Sequence, residues 1–321
     1  LFFDYQIWMQ ILKSFPLLSP PIINASGILS YPEVFETFEN QGASIGGYVT
    51  KSIGPSEKKG NENPVIIYSD SSGGPTLNSL ALPTQDLDDW IEELSKIKLK
   101  KSLLISSIYA GNPKEFAFVA EKISPFSDII EINLGCPNKE PGEKTIMESI
   151  GQNPTLSGEI TSMVRDSTDK PIVAKLSPNS DYLSVAEKCL ESGADGLGCA
   201  NTLGPGLSID IKTKEVILAG TSGGISGQAL KPINLLMTFE AFARFSCPII
   251  AYGGIATWED GVEYLLAGAS VLGLGTVFLG KSTKESIKTT QEIWQGIESY
   301  LNGDDIEKLI GKAHKHTQEL K

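Results

Sequence analysis

Cysteine is scarce in this chain, histidine scarcer and basic charge in deficit, and each shortage closes off a class of function. The four cysteines, Cys136, Cys189, Cys199 and Cys247, form no C-x-x-C pair and have no histidine close by. That argues against a zinc site, an iron-sulfur cluster or a disulfide framework, and it fits a reducing, cytoplasmic setting. The two histidines, His314 and His316, fall in the charged C-terminal stretch 301–321, where they read as solvated bystanders. Against 39 acidic residues stand only 27 basic ones, a net charge of -12. Such a field repels phosphate backbones and anionic lipid, so neither nucleic acid nor a membrane is an expected partner. An anionic small-molecule substrate would need a local cation inside its pocket. Long apolar runs are lacking too. The opening LFFDYQIWMQILKSFPLL is broken by Asp4, Gln6, Gln10 and Lys13 and has neither a basic start nor a small-residue cleavage site, which excludes a signal peptide or a membrane span. Met9 is the expected native start, and residues 1–20 form an N-terminal extension.

No internal repeat, low-complexity tract or Pro/Gly linker divides the 321 residues, so 1–321 reads as a single domain with insertions. Eight short apolar runs alternate with longer amphipathic segments: 21–27, 48–51, 102–108, 128–133, 171–176, 194–200, 248–254 and 270–276. They are almost continuously hydrophobic, as strands covered on both faces must be, and helical crossovers make such strands parallel. Residues 84–97 carry Leu87, Trp90, Ile91 and Leu94 on one helical stripe, and 183–192 carry Val185, Cys189 and Leu190. The expected fold is α/β, a (β/α)8 TIM barrel. Small β insertions are expected at 63–70 and 207–218, the latter a hairpin around Lys212 to Lys214. Both follow strands, so both fall at the C-terminal face where barrels place their active sites.

Polar residues end almost every strand: Asn24 and Ser26, Lys51 and Ser52, Asn133, Lys175, Asn201 and Thr202, Gly253 and Gly254, Gly275 and Thr276. Turn chemistry explains any one of them, but two lysines at the ends of buried strands ask for more. Three glycine clusters, TSGGISG (221–227), YGGI (252–255) and GLGT (273–276), gather around the last two strands. Barrels often bind phosphate there through backbone N–H groups that only glycine lets approach closely, and a nucleotide-like cofactor such as FMN would satisfy them. In EINLGCPN (131–138) a strand ends at Asn133 and Cys136 follows on a loop at the pocket mouth. A tuned thiol there can act as a general base; the plainer alternative is a small buried hydrophobe. Cys189, Cys199 and Cys247 fit that plainer role.

In order and spacing, NASG, TKS, NSLAL, NLGCPN, AKLSPN, NT, GGISG, YGGI and GT resemble the dihydroorotate dehydrogenase family from about Pro21 to near Phe278. The LSPN and GGISG wording is most similar to the soluble class with a cysteine base, which includes members that pair with an electron-transfer subunit. The resemblance implies FMN-dependent oxidation of dihydroorotate to orotate in pyrimidine biosynthesis. It makes Cys136 the base for the C5 proton and Lys51 a catalytic residue lying between flavin and substrate. Asn78, Ser79, Leu80, Ala81, Leu82, Asn133, Asn138, Asn201 and Thr202 would join Lys51 around the substrate. Ser26, Lys51, Ser52, Asn133, Lys175, Ala200, Gly227, Gly253, Gly254, Gly275 and Thr276 would hold FMN, with Lys175 near the N1 to C2=O end of the flavin.

Departures from the family wording are local. Ala81 stands where the family usually has glycine, Thr84 where it has asparagine, and in SSIYAG (106–111) Ser106 or Ser107 takes the place of a flavin-side asparagine. Two other functions stay open on the residues alone: a flavin-dependent dihydropyrimidine dehydrogenase, and a flavin-free barrel holding a sugar phosphate. The acceptor is open between fumarate, quinone and NAD through a partner subunit, and the expected assembly is a homodimer or a heterotetramer.

Overall fold

Six of the helices begin on side chains that supply the missing first-turn bonds, and in the first of them Asp86 caps the Asp88 amide. Asn112 caps the Glu115 amide, Asn153 the Leu156 amide and Asp181 the Ser184 amide; Thr257 with Asp260 and Ser282 with Glu285 form reciprocal capping boxes. These signals are local, acting within one turn of each helix start. In the computed structural model, which describes residues 15–16, 18–68, 75–135 and 150–314, the helices are α1 (Pro32–Asn40), α2 (Leu87–Lys96), α3 (Pro113–Ile123), α4 (Pro154–Ser167), α5 (Tyr182–Glu191), α6 (Lys231–Phe245), α7 (Trp258–Ala267) and α8 (Thr283–Leu301). On α2, Leu87, Trp90 and Leu94 are buried as the stripe requires, and the Trp90 indole donates to Thr84 Oγ1 at 2.9 Å.

The expected strands all form. β1 (Ile22–Asn24), β2 (Gly47–Val49), β5 (Leu103–Ile108), β6 (Ile129–Asn133), β7 (Ile172–Lys175), β8 (Gly196–Cys199), β13 (Ile249–Tyr252) and β14 (Val271–Leu274) close into a barrel in the order β1-β14-β13-β8-β7-β6-β5-β2. Every pair in it is parallel. The fold is therefore a (β/α)8 barrel. Closure leaves no sheet edge, and the helices bury the outer face: one apolar cluster runs through Phe35, Trp90, Phe116, Ile160, Phe242 and Ile297 between barrel and helices.

A second cluster fills the lower barrel with Ile23, Val49, Ile105, Ile129, Val173, Ile250 and Val271. Phe15 and Leu18, from the segment ahead of β1, pack against it and close the N-terminal end. A Cβ at Gly47, at the start of β2, would stand 2.7 Å from Leu18 Cδ2, so that plug depends on a missing side chain. The bottom of the barrel is thus a packed core, and only the top is left for chemistry.

Above the C-terminal ends lies a four-stranded antiparallel sheet, β3 (Ile66–Tyr68), β4 (Thr76–Asn78), β12 (Gly223–Ser226) and β9 (Leu203–Gly206). It joins the insertion after β2 to the one after β8. The hairpin expected at 207–218 forms between β10 (Ile209–Asp210) and β11 (Glu215–Val216). The GGISG motif is a correction to the sequence reading: residues 223–226 are strand β12 of this sheet, so only its end serves a glycine-rich turn.

His314 is a second correction. Its ring stacks on Phe239 with centroids 3.8 Å apart and leans on Phe242 at 5.2 Å, so it anchors the segment that follows α8. Leu309 and Ile310 are buried in the same segment, and the Gly311 and Ala313 amides donate to Leu265 and Leu266 of α7. Met9 and His316 lie outside the described residues. Among the described residues no helix is long and apolar enough to cross a membrane.

Candidate active site

The strand ends and the overlying sheet enclose a cleft of about 1100 Å³, the open mouth included. Ser26, Lys51, Ser52, Asn78, Leu80, Leu82, Asn133, Lys175, Ala200, Asn201, Thr202, Gly227, Gly253, Gly254, Gly275 and Thr276 all line it. Residues scattered through the chain meet because each sits at the top of a parallel strand or in the loop that follows it. Cys136 and Asn138 lie outside the described residues. The described chain stops just short of them at Gly135, beyond the end of β6, with its amide donating to Asn133 Oδ1 at 3.4 Å.

Two residues of the expected set face elsewhere. Ser79 and Ala81 do not line the cleft, whereas Leu80 and Leu82, alternating with them, do. Ser79 is buried with its hydroxyl unpartnered, and its backbone is fixed by Val65 and Asn61. Ala81 is buried and takes φ of 59°, with Leu82 at 56°, so two successive residues adopt the left-handed conformation that glycine favours. The alanine at a position where the resemblance expects glycine therefore carries a backbone cost as well as a methyl group.

A chain of hydroxyls and carboxamides crosses the cleft. Ser26 Oγ meets Ser52 Oγ at 3.2 Å, Ser52 meets Ser107 Oγ at 3.2 Å, Asn133 Nδ2 donates to Ser52 Oγ at 3.2 Å, and Asn201 Nδ2 donates to Asn133 Oδ1 at 2.8 Å. Of the two candidate serines in SSIYAG, Ser107 joins this chain, while Ser106 accepts from Ser127 at 2.7 Å. Asn24, which ends β1, turns away: its carboxamide binds the Ile28 and Val49 carbonyls and the Val49 amide, which fixes the loop carrying Ser26.

Two lysines line the cleft, one after β2 and one at the end of β7. Lys51 is 8% exposed and Lys175 5%. Lys175 Nζ lies 3.4 Å from Glu131 Oε1 and 4.1 Å from the centre of the Tyr252 ring, and the Tyr252 hydroxyl donates to Glu131 Oε2 at 2.6 Å. Burial first, and then the Glu131 charge, push the Tyr252 phenol well above its ordinary value, so it is a donor at neutral pH. Sequence reading missed Glu131 and Tyr252. Both stand inside apolar strand motifs, DIIEIN and PIIAYGG, where only a charged or polar letter amid hydrophobics hinted at a role.

Glycine turns line the cleft as well. Gly227, Gly253 and Gly254 have φ of 80°, 108° and 71°, where a side chain is strained, and a Cβ on Gly254 would stand 3.0 Å from the Gly227 carbonyl. The two turns are pressed together from distant parts of the chain. Asn234 Nδ2 donates to the Tyr252 carbonyl at 2.9 Å and Tyr264 OH to the Gly253 carbonyl at 2.7 Å, holding this loop. Asp260 accepts from the Ala256 and Thr257 amides while it pairs with Lys231 at 2.5 Å. Burial alone would raise its carboxyl, but Lys231 and those amides outweigh it and hold the group below its ordinary value. Gly227 immediately precedes the turn 228–230 that runs into α6, and Thr276 opens another short turn at 276–278. Helix starts and glycine turns offer unpaired N–H groups to an anion.

Cys189, Cys199 and Cys247 are all buried thiols; burial pushes Cys189 up to about 11 and Cys247 up to about 12. They behave as the small hydrophobes expected of them. Among the described residues no cluster of three or more His, Cys, Asp or Glu could hold a metal ion.

Comparison with known proteins agrees with this geometry. Residues 16–301 match the family model described as dihydroorotate dehydrogenase. The catalytic subunit of dihydroorotate dehydrogenase B (NAD(+)) of Pyrococcus abyssi is 39% identical over 301 residues, 92% of this chain and 95% of that protein. Its counterpart in Methanocaldococcus jannaschii is 35% identical over 303 residues, 92% and 94%; that of Methanosarcina acetivorans is 34% identical over 304 residues, 93% and 94%. The matched span runs from the segment that plugs the barrel to the end of its last helix, and the chain belongs to the dihydroorotate dehydrogenase family, enzymes that oxidise dihydroorotate in pyrimidine biosynthesis.

Proposed function

We propose that this chain is the FMN-binding catalytic subunit that oxidises dihydroorotate to orotate and passes electrons to a partner subunit. One observation carries the reading: two largely buried lysines, Lys51 and Lys175, and three carboxamides, Asn78, Asn133 and Asn201, converge on one cleft that glycine turns also line. In a protein of net charge -12, lysines lining the cleft give an anionic substrate the local positive charge that the rest of the surface lacks. Carboxamides offer a donor and an acceptor each, the complement of a pyrimidine imide edge.

FMN fits what is there. Its phosphate suits the turns at Gly227, Gly253, Gly254, Gly275 and Thr276, where Gly227, Gly253 and Gly254 take conformations a side chain would strain, and its ring suits the polar row of Ser26, Ser52 and Asn133 beside Ala200 and Lys175. Bound FMN would supply the acceptor, at its N5, for the hydride that leaves C6 of dihydroorotate. Lys51 neutralises the substrate carboxylate. Asn78, Asn133, Asn138, Asn201 and Thr202 hold the ring edges, with Leu80 and Leu82 excluding water above it. Cys136, as thiolate, takes the C5 proton while the C6 hydride leaves, and the C5–H electron pair becomes the C5=C6 double bond of planar orotate. Because the four cysteines of this chain are dispersed and its relatives are named as NAD(+)-linked catalytic subunits, NAD reduction falls to a partner with its own redox groups. The expected assembly is a heterotetramer.

The visible spectrum of the purified protein tests this. A flavin spectrum, bleached by dihydroorotate without oxygen and unaffected by dihydrouracil, is the expected result. Protein that stays colourless after FMN is added would reject the cofactor, and bleaching by dihydrouracil instead would move the substrate to a dihydropyrimidine without a carboxylate. Cys136→Ala should keep the colour and lose nearly all bleaching by dihydroorotate; retained bleaching would remove the base assignment.

A further inference from the structure

Three polar groups meet in the barrel directly beneath the cleft, one from each of β6, β7 and β13. Glu131 has no exposed surface, and its carboxylate is shared unequally. The short bond, 2.6 Å, comes from the Tyr252 hydroxyl; the Lys175 ammonium reaches the other oxygen only at 3.4 Å. A buried lysine and carboxylate ordinarily close to about 2.7–2.9 Å. Here the ammonium stands off, 4.1 Å above the centre of the Tyr252 ring, whose face attracts a cation.

Two glycines make room for the arrangement. Gly273 lies in register with Tyr252 on β14, and a Cβ there would stand 2.2 Å from the ring. Gly198 lies in register with Lys175 on β8, and a Cβ there would stand 3.1 Å from the lysine's own carbons. Lys175 and Tyr252 line the cleft, whereas Glu131 does not. The carboxylate is thus a hidden counter-charge, and the phenol decides how much of it the lysine feels.

We propose that Glu131 and Tyr252 are positioning residues that set how much positive charge Lys175 presents to the flavin: Glu131 draws the ammonium down, while the Tyr252 hydroxyl occupies one carboxylate oxygen and the ring supports the ammonium at the cleft floor. The proposal rests on the reading that FMN binds with its N1 to C2=O end toward Lys175. A flavin gains negative charge at that end when it is reduced, and a fixed cation beside it stabilises the charge. Sulfite probes the same property without turnover. Its sulfur lone pair forms a bond to flavin N5, and the ring takes up that electron pair as an anion over N1 to C2=O.

The sulfite dissociation constant, read from flavin bleaching at pH 6 on the FMN-loaded full chain, together with the flavin reduction potential, tests this. Tyr252→Phe keeps the ring and the Gly273 space but frees Glu131 to close on Lys175, so sulfite should bind roughly tenfold more weakly and the potential should fall. Glu131→Gln removes the counter-charge, so sulfite should bind roughly tenfold more tightly and the potential should rise. Opposite signs are the signature, because a role in folding alone would move both variants the same way or neither. Sulfite affinity in Tyr252→Phe that is unchanged within twofold, or raised, overturns the proposal even if Glu131→Gln does not fold. Unmodified chain that takes up no FMN overturns it together with the reading beneath it, a result distinguishable from a coloured protein whose variants fail to respond.

Discussion

Lys51 keeps only 8% of its surface in contact with solvent, so its ammonium interacts with an anion through protein more than through water. An interaction of that kind is worth more than a surface pair of the same geometry. Lys51→Ala is expected to weaken orotate binding by about 2 kcal/mol, roughly thirtyfold, and FMN binding by less than about threefold. A titration of the flavin spectrum with orotate measures the first, and equal losses for both ligands would contradict the assignment. At Ala81 the issue is backbone rather than charge. With φ of 59° the residue pays about 1–2 kcal/mol that glycine avoids, while glycine adds about 0.4–1 kcal/mol of unfolded-chain entropy. The strain wins, so Ala81→Gly should raise the unfolding free energy by about 0.5 kcal/mol, seen as a higher urea midpoint at unchanged slope. A lower midpoint would mean that packing of the buried methyl outweighs the strain.

Elements meet at the carboxyl end of the barrel in ways that single residues do not announce. The sheet over the cleft pairs β4 with β12, and Asn78 Nδ2 donates to the Gly224 carbonyl across 146 residues of sequence. Asn78 is thereby set over the cleft by a strand pairing rather than by its own loop. At the other end of the chain, the segment after α8 is tied down by His314, whose Nε2 stands 2.9 Å from the Ala267 carbonyl. Burial lowers its affinity for a proton below the ordinary 6.5, only partly opposed by that carbonyl. For a base with a depressed folded pKa, the docking energy is fully present above pH 6.5 and is lost as pH falls through the folded value, because the unfolded ring takes the proton more readily. Stability should therefore decline from pH 7 toward pH 5 in part through this group. His314→Phe, which keeps a ring against Phe239, should flatten that slope; an unchanged slope would show that other groups carry it.

On the scale of the whole molecule, the lower barrel is sealed by Phe15, Leu18 and the apolar layer of Ile23, Val49 and Ile129, and the upper barrel holds the polar groups. Stability and chemistry are thus separated along one axis. A cofactor that bridges several strand tops should bind the folded chain alone, and FMN at about a thousand times its dissociation constant should add about 4 kcal/mol of stability. For a chain of this size that corresponds to a rise in Tm of roughly 6 °C. Thermal unfolding with and without FMN checks it, and coincident curves would remove FMN from the cleft.

The sequence by itself determined the eight strands, the helical stripes at 84–97 and 183–192 and the ring of polar residues at the strand tops, because apolar periodicity and turn residues act within a few positions of one another. From Ser26 to Thr276, those residues line one cleft. The tertiary structure alone decided that Ser79 and Ala81 face away from it, that GGIS joins a sheet, that His314 packs on aromatic rings, and that Glu131, Lys175 and Tyr252 meet beneath the floor. Which face of a fully buried strand turns inward leaves no alternation to read, since both faces are apolar. Only closure of the barrel, which fixes the stagger between strands, brings those side chains to the same height.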